Sequence, residues 1–331
     1  MFGKDANNRS VRHDVVMLHM RVIVPPDQTE EIGALLADHP GATNVVVLPG
    51  SAREPQGDLL LCDLARESVD EIIEELKERG IPDRGSIAFE PIELSISKCA
   101  KAAEEEAPGH GDDAVIWQEI EQRTDDEIQL TWSFLAFLAL ATQLAGIAAI
   151  IDSPVLIVGA MVLGPEFGAV AAISYGLLVG DWQRIGRAVR TLVIGLVVAI
   201  AITWMCAWVS HEIGVLNVDR LPDARPLTGF VYNPDRWSFI VALLAGAAGV
   251  LSMTSGKSSA LVGVFISVTT VPAAGNIAVG YALGHWNEVN GSFQQLGINI
   301  LGMIIAGWLT LLVQKIAWRL VLRRRSGNPA R

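Results

Sequence analysis

The sequence predicts two parts: an α+β ferredoxin-like domain at the N-terminus, then an α-helical polytopic membrane domain of about six spans. Three observations carry this. Charge is split along the chain: residues 1–127 hold 12 Lys/Arg against 28 Asp/Glu, and residues 128–331 hold 13 against 8. The second part contains six long apolar stretches. The first part alternates short β-branched runs with amphipathic helical runs in the order β-α-β-β-α-β, the split βαβ pattern. The expected boundaries are a cytoplasmic domain over 1–97, a linker and juxtamembrane helix over 98–127, a transmembrane domain over 128–318 and a basic tail over 319–331.

In chain order, the opening MFGKDANNRSVRHD is polar and lacks the apolar core of a signal peptide. Val15 to Val24 reads as a strand stopped by Pro25-Pro26. Ile32, Leu35 and Leu36 give the next helix an apolar face, ended by Pro40-Gly41. Asn44 to Leu48, closed by Pro49-Gly50, and Asp58 to Leu64 read as strands. Ser68 to Arg79 is an amphipathic helix through Val69, Ile72, Ile73 and Leu76, and Ser86 to Leu94 is a fourth strand. Cys62, Cys99 and Cys206 have no motif spacing and are expected to be small buried hydrophobes. Lys101 to Asp113 is charged, carries Pro and Gly, and is expected to be a flexible linker. Ala114 to Glu127 resumes helical spacing.

Spanning hydrocarbon takes about 20 apolar residues in a helix. The candidates are Ile128–Ile151, Pro154–Val179, Val189–Val209, Trp237–Met253, Ser258–Leu283 and Phe293–Ala317. Arg184, Arg187, Arg190, Lys257 and the arginines of the tail fall on one side of that arrangement. Arg220, Arg225 and Arg236 on the other side are offset by acidic residues. The bias places both termini in the cytoplasm of a cell with the chain in its inner or plasma membrane. Trp132, Trp182, Trp208, Trp237, Trp286 and Trp318 stand near span ends, as interfacial anchors do.

A shift of 104 residues overlays the second span on the fifth, matching Gly176-x-x-x-Gly180-x-Trp182 to Gly280-x-x-x-Gly284-x-Trp286. In a six-span chain these two run in opposite directions, so the domain would consist of inverted three-helix repeats. Both spans are interrupted, the second at Gly164-Pro165-Glu166 and the fifth at Thr269-Thr270-Val271-Pro272, with Asn276 following. Glu166 is the one carboxylate placed deep in the membrane. It either binds a cation or proton or caps the half-helix after Pro165. Thr269 and Thr270 either line the opposing break or satisfy carbonyls freed by proline. Asn276 is either a ligand or a helix–helix hydrogen-bonding group. The three Gly-x-x-x-Gly pairs are expected to allow close helix packing.

Gly256-Lys257-Ser258 lacks the first glycine and the strand of a P-loop. No His-Glu-x-x-His or nucleophile elbow occurs, and the six histidines are scattered, so neither an enzyme, a metal site nor a cofactor is expected. The acidic N-terminal part repels phosphates, which argues against nucleic acid. The run Asp152-Ser153-Pro154 through Gly159-Ala160-Met161 to Pro165, with Gly263 to Pro272, resembles the prokaryotic membrane family called domain of unknown function 389. The likeness covers Trp117 to about Ala317, and the preceding βαββαβ region is similar to that family's usual partner. Ala169 and Ala273 stand where members often carry further prolines. The resemblance implies architecture and no activity. Two functions are therefore expected alternatives. One is a homo-oligomeric transporter or channel for a small solute or ion, with its site at Gly164, Pro165, Glu166, Thr269, Thr270, Pro272 and Asn276. The other is a membrane-anchored sensor or scaffold whose cytoplasmic domain binds a ligand or partner.

Overall fold

The structure, a computed structural model, describes residues 17–92, 95, 97–106, 114–216, 225–255 and 269–326. They fall into two compact units, one of the residues up to Trp117 together with those from Leu320 on, the other of Gln118–Arg319.

The first unit runs β1 (Met17–Val24), α1 (Thr29–Asp38), β2 (Ala42–Arg53), β3 (Gln56–Ala65), α2 (Val69–Glu78), the single turn α3 (Ile81–Arg84), β4 (Ser86–Ile92) and α4 (Lys98–Glu106). The four strands form one sheet in the order β2-β3-β1-β4, every neighbouring pair antiparallel. Alternate residues Met20, Val22 and Val24 of β1 and Leu60, Cys62 and Leu64 of β3 share one face. They pack against Ile32, Leu36, Ile72, Ile73 and Leu76 of the helices, as the two-residue period of a strand requires. Burial pushes the Cys62 thiol up to about 12, whereas Cys99 and Cys206 are exposed, against expectation.

Two local expectations are corrected. Pro49-Gly50 does not close β2. The strand continues through a register shift between Leu48 and Ala52, with Gly50 at φ +63° donating its N–H to Asp58 Oδ1 at 2.7 Å. A bulge absorbs the irregularity and lets pairing resume. Lys98–Glu106 is a helix where a linker was expected. Lys, Ala and Glu are strong helix formers, and Ala100 is buried against Met17 and Ala65. The rest of the expected linker, residues 107–113, lies outside the described residues.

The second unit contains α5 (Trp117–Glu127), α6 (Trp132–Ile150), α7 (Pro154–Leu163), α8 (Glu166–Val179), α9 (Trp182–Glu212), α10 (Arg236–Thr254), α11 (Thr270–Leu283) and α12 (Trp286–Ser326). Four of these, α6, α9, α10 and α12, are long and apolar enough to cross a membrane. The pair α7 and α8, bent by 55° at Gly164-Pro165, makes five if counted as one span. The expected fifth span is described only from Thr269 onward; Ser258 to Val268 lie outside the described residues, as do Lys257 and Arg220. Trp132, Trp182, Trp237 and Trp286 are exposed in the first turns of the four long helices.

A 104-residue offset recurs through this unit. It relates α6 to α10 and α8 to α11 at both ends, and α9 to α12 at their starts. The caps follow it. Thr131 accepts from Phe134 N at 3.1 Å and Asp235 from Ser238 N at 2.8 Å, each satisfying a first-turn amide. Helices α8 and α11 both end on a left-handed glycine, Gly180 at φ 77° and Gly284 at φ 78°, a conformation that costs glycine least. These two glycines terminate helices instead of packing them, a correction to the Gly-x-x-x-Gly reading. Their partners do the packing: a Cβ on Gly176 would meet Ile185, and one on Gly280 would meet Val289.

Candidate functional site

Glu166 is the first residue of α8 and Thr270 the first of α11. The two lie 104 positions apart, and the Thr270 hydroxyl donates to Glu166 Oε1. The helices diverge from this point along α9. Near its start, Ile185 lies against Gly176 and Ala188 against Ala172 and Ile173. Further on, Thr203 and Ala207 meet Val279 and Leu283. Ile185 and Thr203 are separated by about 27 Å at 1.5 Å per residue. So α8 and α11 point their N-termini at each other over the middle of α9.

The sequence explains why the chain can start a helix there. Pro165 occupies the cap of α8, where no amide is required. Pro272 is the third residue of α11, still within the turn whose N–H groups have no intrahelical acceptor. It therefore costs the described helix no hydrogen bond; the part of the expected fifth span that precedes Thr269 lies outside the described residues. Gly164 is needed for close approach: a Cβ there would collide with Glu166 Oε2 and with the Val271 side chain. Glu166 is 7% exposed, and its Oε2 is buried without a hydrogen-bond partner among the described residues.

A cavity lies on each side of the junction. One, of about 680 Å³, reaches Gly164, Pro165 and Phe167 and opens beside Arg123, Asp126 and Glu127. Burial, reinforced by neighbouring Asp126, holds the Glu127 carboxyl above its usual range. The other, of about 350 Å³, reaches Thr269, Gln295 and Asn299. Thr131, Phe134 and Pro165 in the first correspond, at the 104-residue offset, to Asp235, Ser238 and Thr269 in the second. Thr269 Oγ1 accepts from Gln295 Nε2 at 2.9 Å and from Asn299 Nδ2 at 2.6 Å. Among the described residues, Thr269 and Thr270 thus bond to side chains of the site.

Asn276 is not at the junction. Six residues further along α11, its Oδ1 accepts from Arg225 at 2.8 Å and its Nδ2 donates to Ser292 at 2.9 Å. Arg225 is the centre of this second cluster. It is 3% exposed, donates to Ala149 O at 3.1 Å and to Glu288, and stacks over Tyr232 at 4.7 Å. The same offset generates a counterpart of opposite sign. Glu121 corresponds to Arg225 and Arg184 to Glu288. Arg184 donates to Glu121 and to Asp125, both at 3.0 Å.

The structure therefore brings Gly164, Pro165, Glu166, Thr270 and Pro272 to one junction, sets Thr269 on a cavity beside it, and moves Asn276 into the Arg225 cluster. Arg225, Glu288, Gln295 and Asn299 were not singled out from the sequence. Their signal was present: Gln295 and Asn299 are polar residues at i, i+4 on an apolar helix, and the Glu121/Arg225 and Arg184/Glu288 correspondences follow from the offset.

Residues 161–305 match the family model described as Domain of unknown function (DUF389). An uncharacterized protein of Methanocaldococcus jannaschii is 26% identical over 236 residues, covering 71% of this chain and 68% of that protein. No solved structure matches.

Proposed function

We propose that the protein, whose residues 161–305 match the model described as Domain of unknown function (DUF389), is a membrane transporter or channel for a small solute or ion. The observation that carries this is the Glu166–Thr270 hydrogen bond. It ties together two opposed helix starts at equivalent positions of a repeat, with a cavity reaching each side. A buried carboxylate in an apolar helix is expensive to keep, and short helices meeting inside a membrane domain are a recurring way to build a substrate site. The opposed directions of α8 and α11 along α9 support reading the unit as two inverted three-helix repeats. On this reading the chain crosses the membrane six times with both termini in the cytoplasm of an inner or plasma membrane, as the arginines at 184, 187 and 190 favour. The interleaved strand order of the first unit supports a ferredoxin-like module that gates the path or joins copies in a homo-oligomer.

The test is flux through purified full-length protein in liposomes, over a panel of protons, monovalent cations, monovalent anions and neutral solutes. Protein-dependent flux of a panel member, altered by Glu166→Gln in protein that still elutes as the wild type does, supports the proposal. No protein-dependent flux of any panel member would refute it.

A further inference from the structure

We propose that the transported species is a small monovalent anion, and that the Glu166 carboxylate is a tethered occupant of its binding place, released when it takes up a proton. This rests on the transport reading above.

The argument begins with the direction of the helices. Two 14-residue helices, α8 and α11, aim their N-termini at one point. Each presents roughly half a positive charge there, together with first-turn amides that have no acceptor within the helix. Their sum is about one positive charge facing one carboxylate, so the closed arrangement is neutral only while Glu166 is ionised. A cation would meet both positive ends with a single carboxylate to hold it. Among the described residues no three His, Cys, Asp or Glu side chains converge to make a cation cage. Around Thr269 the polar groups are its hydroxyl and the neutral amides of Gln295 and Asn299, which suit an anion; the carboxylate on that cavity, Asp235, is engaged by Ser238 N and Oγ in the capping box of α10.

The second observation is Glu166 Oε2. It is buried, unpartnered among the described residues, and turned onto Gly164 at the break between α7 and α8. The side chain fills the place with one oxygen satisfied by Thr270 and the other by nothing, so it is a displaceable occupant. A proton from water in the cavity on Glu166 forms a neutral acid and frees the helix ends. One anion then enters, and the pair of species moves without net charge.

Few other groups compete for that proton. Helices α6 and α7 carry no titratable side chain. On α8 the other is Tyr175, beneath Arg184, and on α11 it is Tyr281, beside Trp286. On α10 the charged residue is Arg236, at the far start of the helix. On α9, Arg184 is paired with Glu121 and Asp125, and on α12 Glu288 is paired with Arg225. From α5, Glu127 packs on Gly168 in the first turn of α8 and lines the cavity with Asp126 and Arg123.

The experiment compares chloride and nitrate flux with sodium and potassium flux through the reconstituted full chain at about pH 5 and about pH 8, a range chosen to bracket the proton uptake proposed for Glu166. The wild type should pass anions at least about tenfold faster at the acid pH, since the protonated fraction falls about tenfold for each pH unit above the midpoint. Glu166→Gln should raise the rate at the alkaline pH to the acid level and flatten the profile. Thr270→Val, which removes the donor to the ionised form, should move the midpoint to higher pH; it decides the matter should the Gln variant fail to fold. Cation flux abolished by Glu166→Gln at both pH values, or an unmoved midpoint in Thr270→Val, would overturn the anion proposal and leave transport standing. No flux of any ion in any form of the protein would overturn both.

Discussion

Arg225 and Glu288 offer the sharpest energetic test of the membrane unit. Their side chains are 1% and 17% exposed, so neither charge is well hydrated. Replacing Glu288 by Gln keeps the shape but strands the guanidinium with two neutral acceptors, Ala149 O and Asn276 Oδ1. Removing one partner of a buried pair costs about 3–5 kcal/mol. In a unit of this size, that lowers the unfolding temperature by roughly 10 °C. The charge-swapped double variant, Arg225→Glu with Glu288→Arg, restores the attraction but leaves those acceptors without a donor, at about 1–2 kcal/mol each. It should therefore recover only about 1 kcal/mol, roughly a quarter of the loss. The assay is thermal unfolding of detergent-solubilised protein, read by the fraction that elutes as folded. A Glu288→Gln variant within about 2 °C of the wild type would show that the pair is not buried as described, and a double variant no better than either single one would show no coupling across it.

Other outcomes are expected. Gly275→Ala places a Cβ within 2.7 Å of Ala145 Cβ and Gly146 N and 2.8 Å of Thr142 O; forcing α11 off α6 should cost about 1–3 kcal/mol in the same assay. Burial raises the Asp70 carboxyl from 3.8 to about 6, so the folded unit holds its proton more tightly than the unfolded chain. That contribution is complete below pH 3.8 and is lost as pH rises through about 6. Asp70→Asn should remove this dependence, which amounts to up to about 3 kcal/mol, as read by hydrogen exchange of β1 and β3 in the full chain. A wild-type protein with no loss of protection between those pH values would contradict it. Cysteines at Gln183 and Asn287, exposed at the starts of α9 and α12, should react with an impermeant maleimide from opposite sides of sealed vesicles; labelling from one side would end the inverted-repeat reading.

Much of the architecture was legible because its signals are periodic and local. The alternation in Met17–Val24 and Gln56–Ala65, the amphipathic Val69–Glu78, and the apolar lengths of α6, α9, α10 and α12 each follow from side-chain pattern alone. The 104-residue offset between element boundaries was legible through paired glycines, although those at 180 and 284 end helices. What escaped depended on partners distant in sequence. Arg225 and Glu288 read as loop charges, useful only for orientation, until folding buries them together. Pro272 read as costing its helix a hydrogen bond because the helix start two residues before it, which makes the missing amide harmless, is invisible in composition. Lys98–Glu106 read as solvated linker because its charges outweighed a helix-forming composition that Ala100 anchors.

The exchange of sign between equivalent positions bears on how the chain enters a membrane. A domain made of two identical halves of opposite direction would present the same basic residues to both faces and insert either way up with equal ease. Here Arg184, Arg187 and Arg190 stand where the second half has Glu288, Gly291 and Gln294. On the proposed six-span reading these three cations have no basic residue at the equivalent positions of the other half, an inequality that favours a single insertion topology. On the proposed inverted-repeat reading, divergence at three side chains gives direction to a scaffold whose backbone alone supplies none.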